Sequence, residues 1–339
     1  MGDAIHTNKE IIQSDIRELN KDLLAVLLLD RTTHKNILWG TMDYSDEGSD
    51  YAAGDEIKVS LITGKNEGLI RPRILKAVEQ KEGRTRERAE VFTPSWICNQ
   101  QNNLIDDQWF GREGVFNSVS GTSWTATTDK IMFDEKGFKT WKGYVDAKRL
   151  EITCGEAPYL VSRYDTVTGH IIPIPERVGL LDRKLRVVNE NTTTKEEWIR
   201  WARRAVESIY GYEYQGDSLL IARNNVLFTY TEYYSDRFGE APNLNELKGI
   251  ALVVSWNLWQ MDGFNYAVPK CEVKTEPTQI SLFDLYPDMG DFDYNALADP
   301  KGQALCKIRD WRSKATIIYK DIVDQKTESK PMKGGKKNE

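Results

Sequence analysis

Histidine and cysteine are scarce in this chain: its 339 residues include three of the first and four of the second. The cysteines, Cys98, Cys154, Cys271 and Cys306, stand far apart, so no two have zinc-site spacing, and three histidines do not make up the deficit. A metal centre is not expected, and the thiols read as free in a reducing compartment. Long hydrophobic runs are missing too. The best, residues 23–29, is closed by Asp30, well short of the roughly 20 apolar residues that span a bilayer. The opening MGDAIHTNKE has no apolar signal region, which points to the cytoplasm and away from any membrane. Basic charge is not in surplus. The net charge is -6, which argues against unaided tight DNA binding while leaving room for a local basic patch. What remains is an ordinary globular composition, 40% hydrophobic and 29% charged. It is long enough for one large domain or two smaller ones.

The segment SDIRELNKDLLAVLLLD has apolar residues at helical spacing behind Ser14, and EIKVSLITG at 56–64 alternates like a strand. VFTPSWICNQQNNLIDD reads as a loop feeding a helix, with Thr93 placed to cap and Pro94 near the first turn. Thr193 with Glu196 and Thr194 with Glu197 are capping-box pairs, predicting a helix over 195–209, then a strand at 209–214 and a helix at 217–227. Buried strands are expected at 149–154, 250–256 and 315–323, and the lysine-rich end from 324 is expected to lack order. Strands alternating with helices argue for an α/β fold with a parallel sheet, and ligands of such sheets bind outside the carboxyl ends of the strands. An α+β region over 1–90 would precede a cofactor domain over 91–323.

The strand ends carry the chemistry. Glu151 leads into the turn Cys154-Gly155-Glu156-Ala157-Pro158, Glu213 closes the second strand, and Asn257 the third. A joint like LEITCGEAPYLVSRYD either holds a cofactor or is a plain strand-turn-helix connection. As a cofactor site, Glu213 suits a ribose diol, because a carboxylate accepts repeatedly and donates nothing. Gly155 leaves the backbone bare, and the chain after it offers N–H groups to an anion.

Taken in order, EVFTPSWI, LEITCGEAPYLV, SIYGYEYQGDSLLIARNNVL and ALVVSWNLWQMDG resemble the gamma-type DNA adenine-N6 methyltransferases, in particular the proteins called restriction endonuclease subunit M. The resemblance covers roughly residues 90–265. It implies a Rossmann-like S-adenosylmethionine-dependent methyltransferase sheet, cut short after about four strands. It also implies roles in cofactor binding. Phe92, Thr93 and Pro94 would meet the methionine end, Glu151 the amino group, with Cys154 and Gly155 in the close-approach turn. Glu213 would hold the ribose, Tyr214 the adenine face and Asn257 the adenine amino group.

Three departures stand against it. Ala157 replaces a second glycine, Asn257 replaces an Asp, and no Pro-Pro pair occurs anywhere. The family clamps its extruded base with Asn/Asp-Pro-Pro-Tyr/Phe. The expectation is therefore a cofactor-binding methyltransferase-like protein of a restriction-modification or phage-defence system, inactive alone. DNA is a possible partner, and a partner subunit or second copy could supply the missing motif. The alternatives are a catalytically dead fold acting as a cofactor sensor or scaffold, and a methyltransferase with another acceptor.

Overall fold

A computed structural model describes residues 20–75, 93–134, 136–137, 139–272 and 302–328. Phe92, Ser14 and the chain beyond 328 lie outside the described residues. Helix α1 is Lys21–Leu28, capped by the Asn20 side chain on the Asp22 N–H. A single helical turn, α2, spans Val59–Ile62. Helix α3, Ser95–Phe110, precedes the hairpin β1 (Asn117–Ser120) and β2 (Ser123–Ala126) and the short α4, Trp141–Asp146. Then come β3 (Arg149–Glu151), α5 (Leu180–Asn191), α6 (Lys195–Glu207), β4 (Ile209–Glu213), α7 (Gly216–Phe238), α8 (Leu244–Asn257) and β5 (Leu258–Gln260). Strands β6 (Ala267–Glu272), β7 (Gln303–Leu305), β8 (Lys307–Asp310) and β9 (Ala315–Ile318) and helix α9 (Tyr319–Glu328) complete the described chain.

The fold is mixed α/β. Its centre is a parallel three-stranded sheet in the order β3-β4-β5. Register pairs Leu150 with Tyr210 and Tyr212 with Trp259, so these side chains share one face. Glu151, Gly211, Leu258, Glu213 and Gln260 occupy the other. That second face meets the main helical core, in which Leu24, Leu27, Leu185, Trp198, Leu219 and Val253 are buried together. The core draws on residues either side of position 90, from Leu23 to Leu258. The first face is covered by the C-terminal strands: Tyr210, Trp259 and Met261 bury against Val268, Ala304, Cys306 and Ile308.

Three expected strands are corrected. Residues 249–256 belong to α8. Its Asn243–Glu246 capping box starts a helix, and burial of Ile250, Ala251, Val253 and Val254 reflects packing against α1, α6 and α7 rather than strand alternation. The third parallel strand comes after it, at 258–260. In 56–64 only the start is extended, where Glu56 bridges Leu38 and the Ile57 N–H meets the Ile37 carbonyl. The chain then coils so that Ile62 can enter the core. The segment 315–323 is split. Ala315–Ile318 pairs antiparallel with Lys307–Asp310, outside the parallel sheet. From Tyr319 the chain is helical through Glu328, with Tyr319 and Ile322 one turn apart against the aromatic layer. Residues 324–328, expected to lack order, thus belong to that helix.

Candidate functional site

A cleft of about 1270 Å³ opens at the carboxyl ends of β3, β4 and β5. Each strand delivers one acid to it: Glu151, Glu213 and, just past β5, Asp262. Glu213 is 8% exposed. Its Oε2 accepts the Gly155 N–H at 2.8 Å, and its Oε1 accepts those of Tyr214 and Gln215 at 2.9 and 3.1 Å. Burial pushes its pKa up, while the Arg73 guanidinium and the three N–H groups pull it back. Glu151, equally buried, accepts from the N–H groups of Tyr159 (3.4 Å) and Leu160 (3.1 Å). Burial carries its pKa up to about 8 despite those bonds, and Glu213 adds to the rise.

The turn between them is backbone-led. Thr153, Gly155 and Ala157 all have positive φ, at 46°, 55° and 64°. Ala157 thus holds, with a methyl group, the left-handed conformation that glycine adopts freely. A Cβ on Gly155 would meet only Arg73 Nη1, at 3.8 Å, so the turn faces open cleft. Cys154 is buried, with its Sγ 3.3 Å from where a Cβ on Gly211 would stand, which makes its side chain packing material.

Thr93 lines the cleft, and its carbonyl accepts from Thr166 Oγ1 at 2.8 Å. It does not cap α3. The N-cap is Pro94, which has no side-chain donor or acceptor to offer, and the Ser95 N–H is taken by Asp165 Oδ2 at 2.6 Å. Tyr214 also lines the cleft.

Asn257 does not. It ends α8 at the amino end of β5, across the sheet from the cleft, and is 1% exposed. Its amide donates to the carbonyls of Val206 (3.0 Å) and Ile209 (2.8 Å) and accepts from Trp311 Nε1 (2.7 Å). The expected strand, 250–256, ends four residues before β5 does, and the acid that follows the true strand is Asp262. Asp262 Oδ1 accepts from Phe264 N–H at 2.9 Å and so fixes a loop whose Phe264 is 96% exposed at the cleft.

The chain matches none of the protein-family models, curated proteins or solved structures it was compared with.

Other walls come from parts of the sequence that carry no motif. Gly40, Thr41 and Met42 line the cleft. Gly40 has φ +78°, and a Cβ there would stand 2.7 Å from the Tyr214 carbonyl oxygen. Gln260 ties this wall down: its amide accepts from the Leu38 N–H and donates to the carbonyls of Leu38 and Tyr214. Asp262 was legible as the Asp-Gly that follows an apolar run; the Gly40 wall had no comparable signal.

Proposed function

We propose that the cleft binds S-adenosylmethionine and that the chain is a methyltransferase-like protein acting in restriction-modification or phage defence. The observation that carries the reading is the set of three acids at successive parallel strand ends, with the bare Gly155 turn between the first two. The residues suit the group. Three N–H groups occupy Glu213, and the two oxygens of a carboxylate offer about four acceptor positions, so one remains for a ribose hydroxyl. Asp262 replaces Asn257 in the role of accepting from the adenine amino group. On this reading Glu151 would accept from the ammonium and Tyr214 would lie against the adenine face, the roles that the resemblance implies. When bound, the cofactor supplies a methyl group activated by its sulfonium. The Rossmann-like sheet implied by this reading fits the β3-β4-β5 order, in which the first strand of the set lies at one edge.

Titration calorimetry with S-adenosylmethionine tests it. Glu213→Gln removes a charged acceptor, so affinity should drop on the order of 10- to 100-fold. Absence of both heat and thermal shift for the wild type at millimolar cofactor would overturn the reading. A second expectation follows from the missing Pro-Pro pair: the chain alone should not methylate DNA adenine, because the acceptor nitrogen has nothing to position it. A partner subunit or second copy that holds the base, or a purely cofactor-sensing role, would each fit that outcome. Tritiated methyl transfer to genomic DNA above a boiled control, and sensitive to Glu213→Gln, would show that an acceptor site exists within this chain.

A further inference from the structure

The chain carries 52 acids against 46 lysines and arginines, yet one surface reverses that sign. Residues 139–149 hold four cations and one acid, and residues 200–204 hold three cations and no acid. Helices α4 and α6 pack together and bring the two stretches side by side. Arg312, in the turn between β8 and β9, joins them. Lys142, Arg204 and Arg312 line an open depression of about 420 Å³ there, together with Trp201 and Asp146. It lies where α4 and α6 run into β3 and β4. Those are the amino ends of the parallel strands, so the depression and the cleft occupy opposite ends of the sheet.

Two carboxylates answer these cations from within the fold. Asp146 is shared between Arg204 and Arg312. Glu207 is shared between Arg203, at 3.0 Å, and Arg204, at 3.1 Å. Lys142 and Arg200 are exposed and have no ion pair among the described residues. Lys142 stands over two half-buried tryptophans, its Nζ 5.4 Å from the Trp141 ring centroid and 5.6 Å from that of Trp201. The two rings meet edge to face at 4.9 Å. A cluster with more positive than negative charge repels itself and gains from an anion brought in from outside. Cations spread over two helices and a turn suit a chain of phosphates better than one small anion. Guanidinium forks take phosphate oxygens in pairs, and tryptophans set among the cations offer rings to bases.

We propose that this surface binds the phosphodiester backbone of a nucleic acid and anchors it away from the cleft. The contact needs no cofactor, so it stands or falls apart from the reading of the cleft. Fluorescence anisotropy with a short labelled DNA, single-stranded and duplex, tests it on the full chain. Neutralising about three phosphates gives log affinity a slope against log salt near −2 for the single strand and near −3 for the duplex. Affinity should therefore fall roughly 20- to 40-fold between about 50 and about 200 mM salt. Lys142→Gln combined with Arg312→Gln should flatten the slope by about one and a half to two. Lys142→Gln alone touches no ion pair, should flatten it by about one, and keeps the test decisive if the double variant does not fold. Lys35→Gln combined with Lys58→Gln lowers the net charge equally at two exposed lysines elsewhere and should leave the slope unchanged. Absence of binding to either DNA at low salt would overturn the proposal. So would a slope that the Lys142 and Arg312 variants leave unaltered, or one that the control pair flattens as much. A polyglutamate peptide of matching charge that competes as well as the DNA itself would replace the nucleic acid with an acidic protein.

Discussion

Asn257 and Asp262 are five positions apart and face opposite ends of one strand, so substitution should separate structure from binding. Asn257→Ala strands two buried carbonyls and the part-buried Trp311 N–H. It should cost roughly 2–4 kcal/mol in urea unfolding while leaving cofactor affinity within about twofold. Asp262→Ala should do the reverse, weakening binding roughly tenfold with little loss of stability. Equal effects of the two on binding would contradict the assignment of the cleft. Glu151 gives a pH signature. Its carboxyl titrates near 8 in the fold and near 4.3 in an unfolded chain. Between these values the folded protein keeps a proton that the unfolded chain has released. The favourable contribution is therefore complete below the lower value and is lost as pH rises through the upper one. Glu151→Gln has no such proton, so its stability between about pH 5 and about pH 8 should fall less than that of the wild type. Parallel urea curves at the two ends of that range would exclude the effect. Glu151 and Glu213 were legible in the sequence because each closes a strand. Asp262 is absent from the expected site because the strand in front of it lies at 258–260 rather than at 250–256.

At the scale of elements, that misplacement has a physical cause. Helix α8 lies against α1, α6, α7 and β5, so its apolar residues are not confined to one stripe. An apolar run without a stripe reads equally as a buried strand or a buried helix, and only the Asn243–Glu246 pair marks the difference. Helices α6 and α7 were readable because they have caps or follow a strand that ends in an acid. The joints between elements were not. Gly216 opens α7, and a Cβ there would stand 2.0 Å from the Leu38 carbonyl oxygen. Helix propensity alone expects Gly216→Ala to stabilise by about 1 kcal/mol. Because the added methyl meets backbone, we expect a loss of at least roughly 2 kcal/mol instead, and with it a displaced Gly40 wall and weaker ligand binding. A more stable variant in thermal melts would show that the wall can move aside. Arg223 makes a second joint. Fully buried, it donates to the carbonyls of Leu27, Leu29, Ser255 and Leu258, which gathers the carboxyl ends of α1 and α8 onto β5. Burial lowers its pKa to about 9.

For the whole molecule, the parallel sheet and the position of the cleft were legible, because strand ends in α/β folds gather ligands whatever surrounds them. The cover of the sheet was not. The face of Tyr210 and Trp259 is closed by strands from beyond residue 266, and the cleft wall by residues before 75. Both are long-range pairings that local pattern does not encode. Among the described residues this cover stops at the β3 side, and Leu150 and Ile152 are 44% and 63% exposed. The same long reach bears on synthesis. Leu38 is clasped by Gln260, and 222 residues of chain separate them. A ribosome adding about 5–20 residues per second needs roughly 10–45 seconds to cover that distance. For that time Leu23, Leu24, Leu27 and Leu28, all buried in the finished fold, have emerged without the surface that will shelter them. The α1 segment is thus expected to stay uncovered for longer as translation slows.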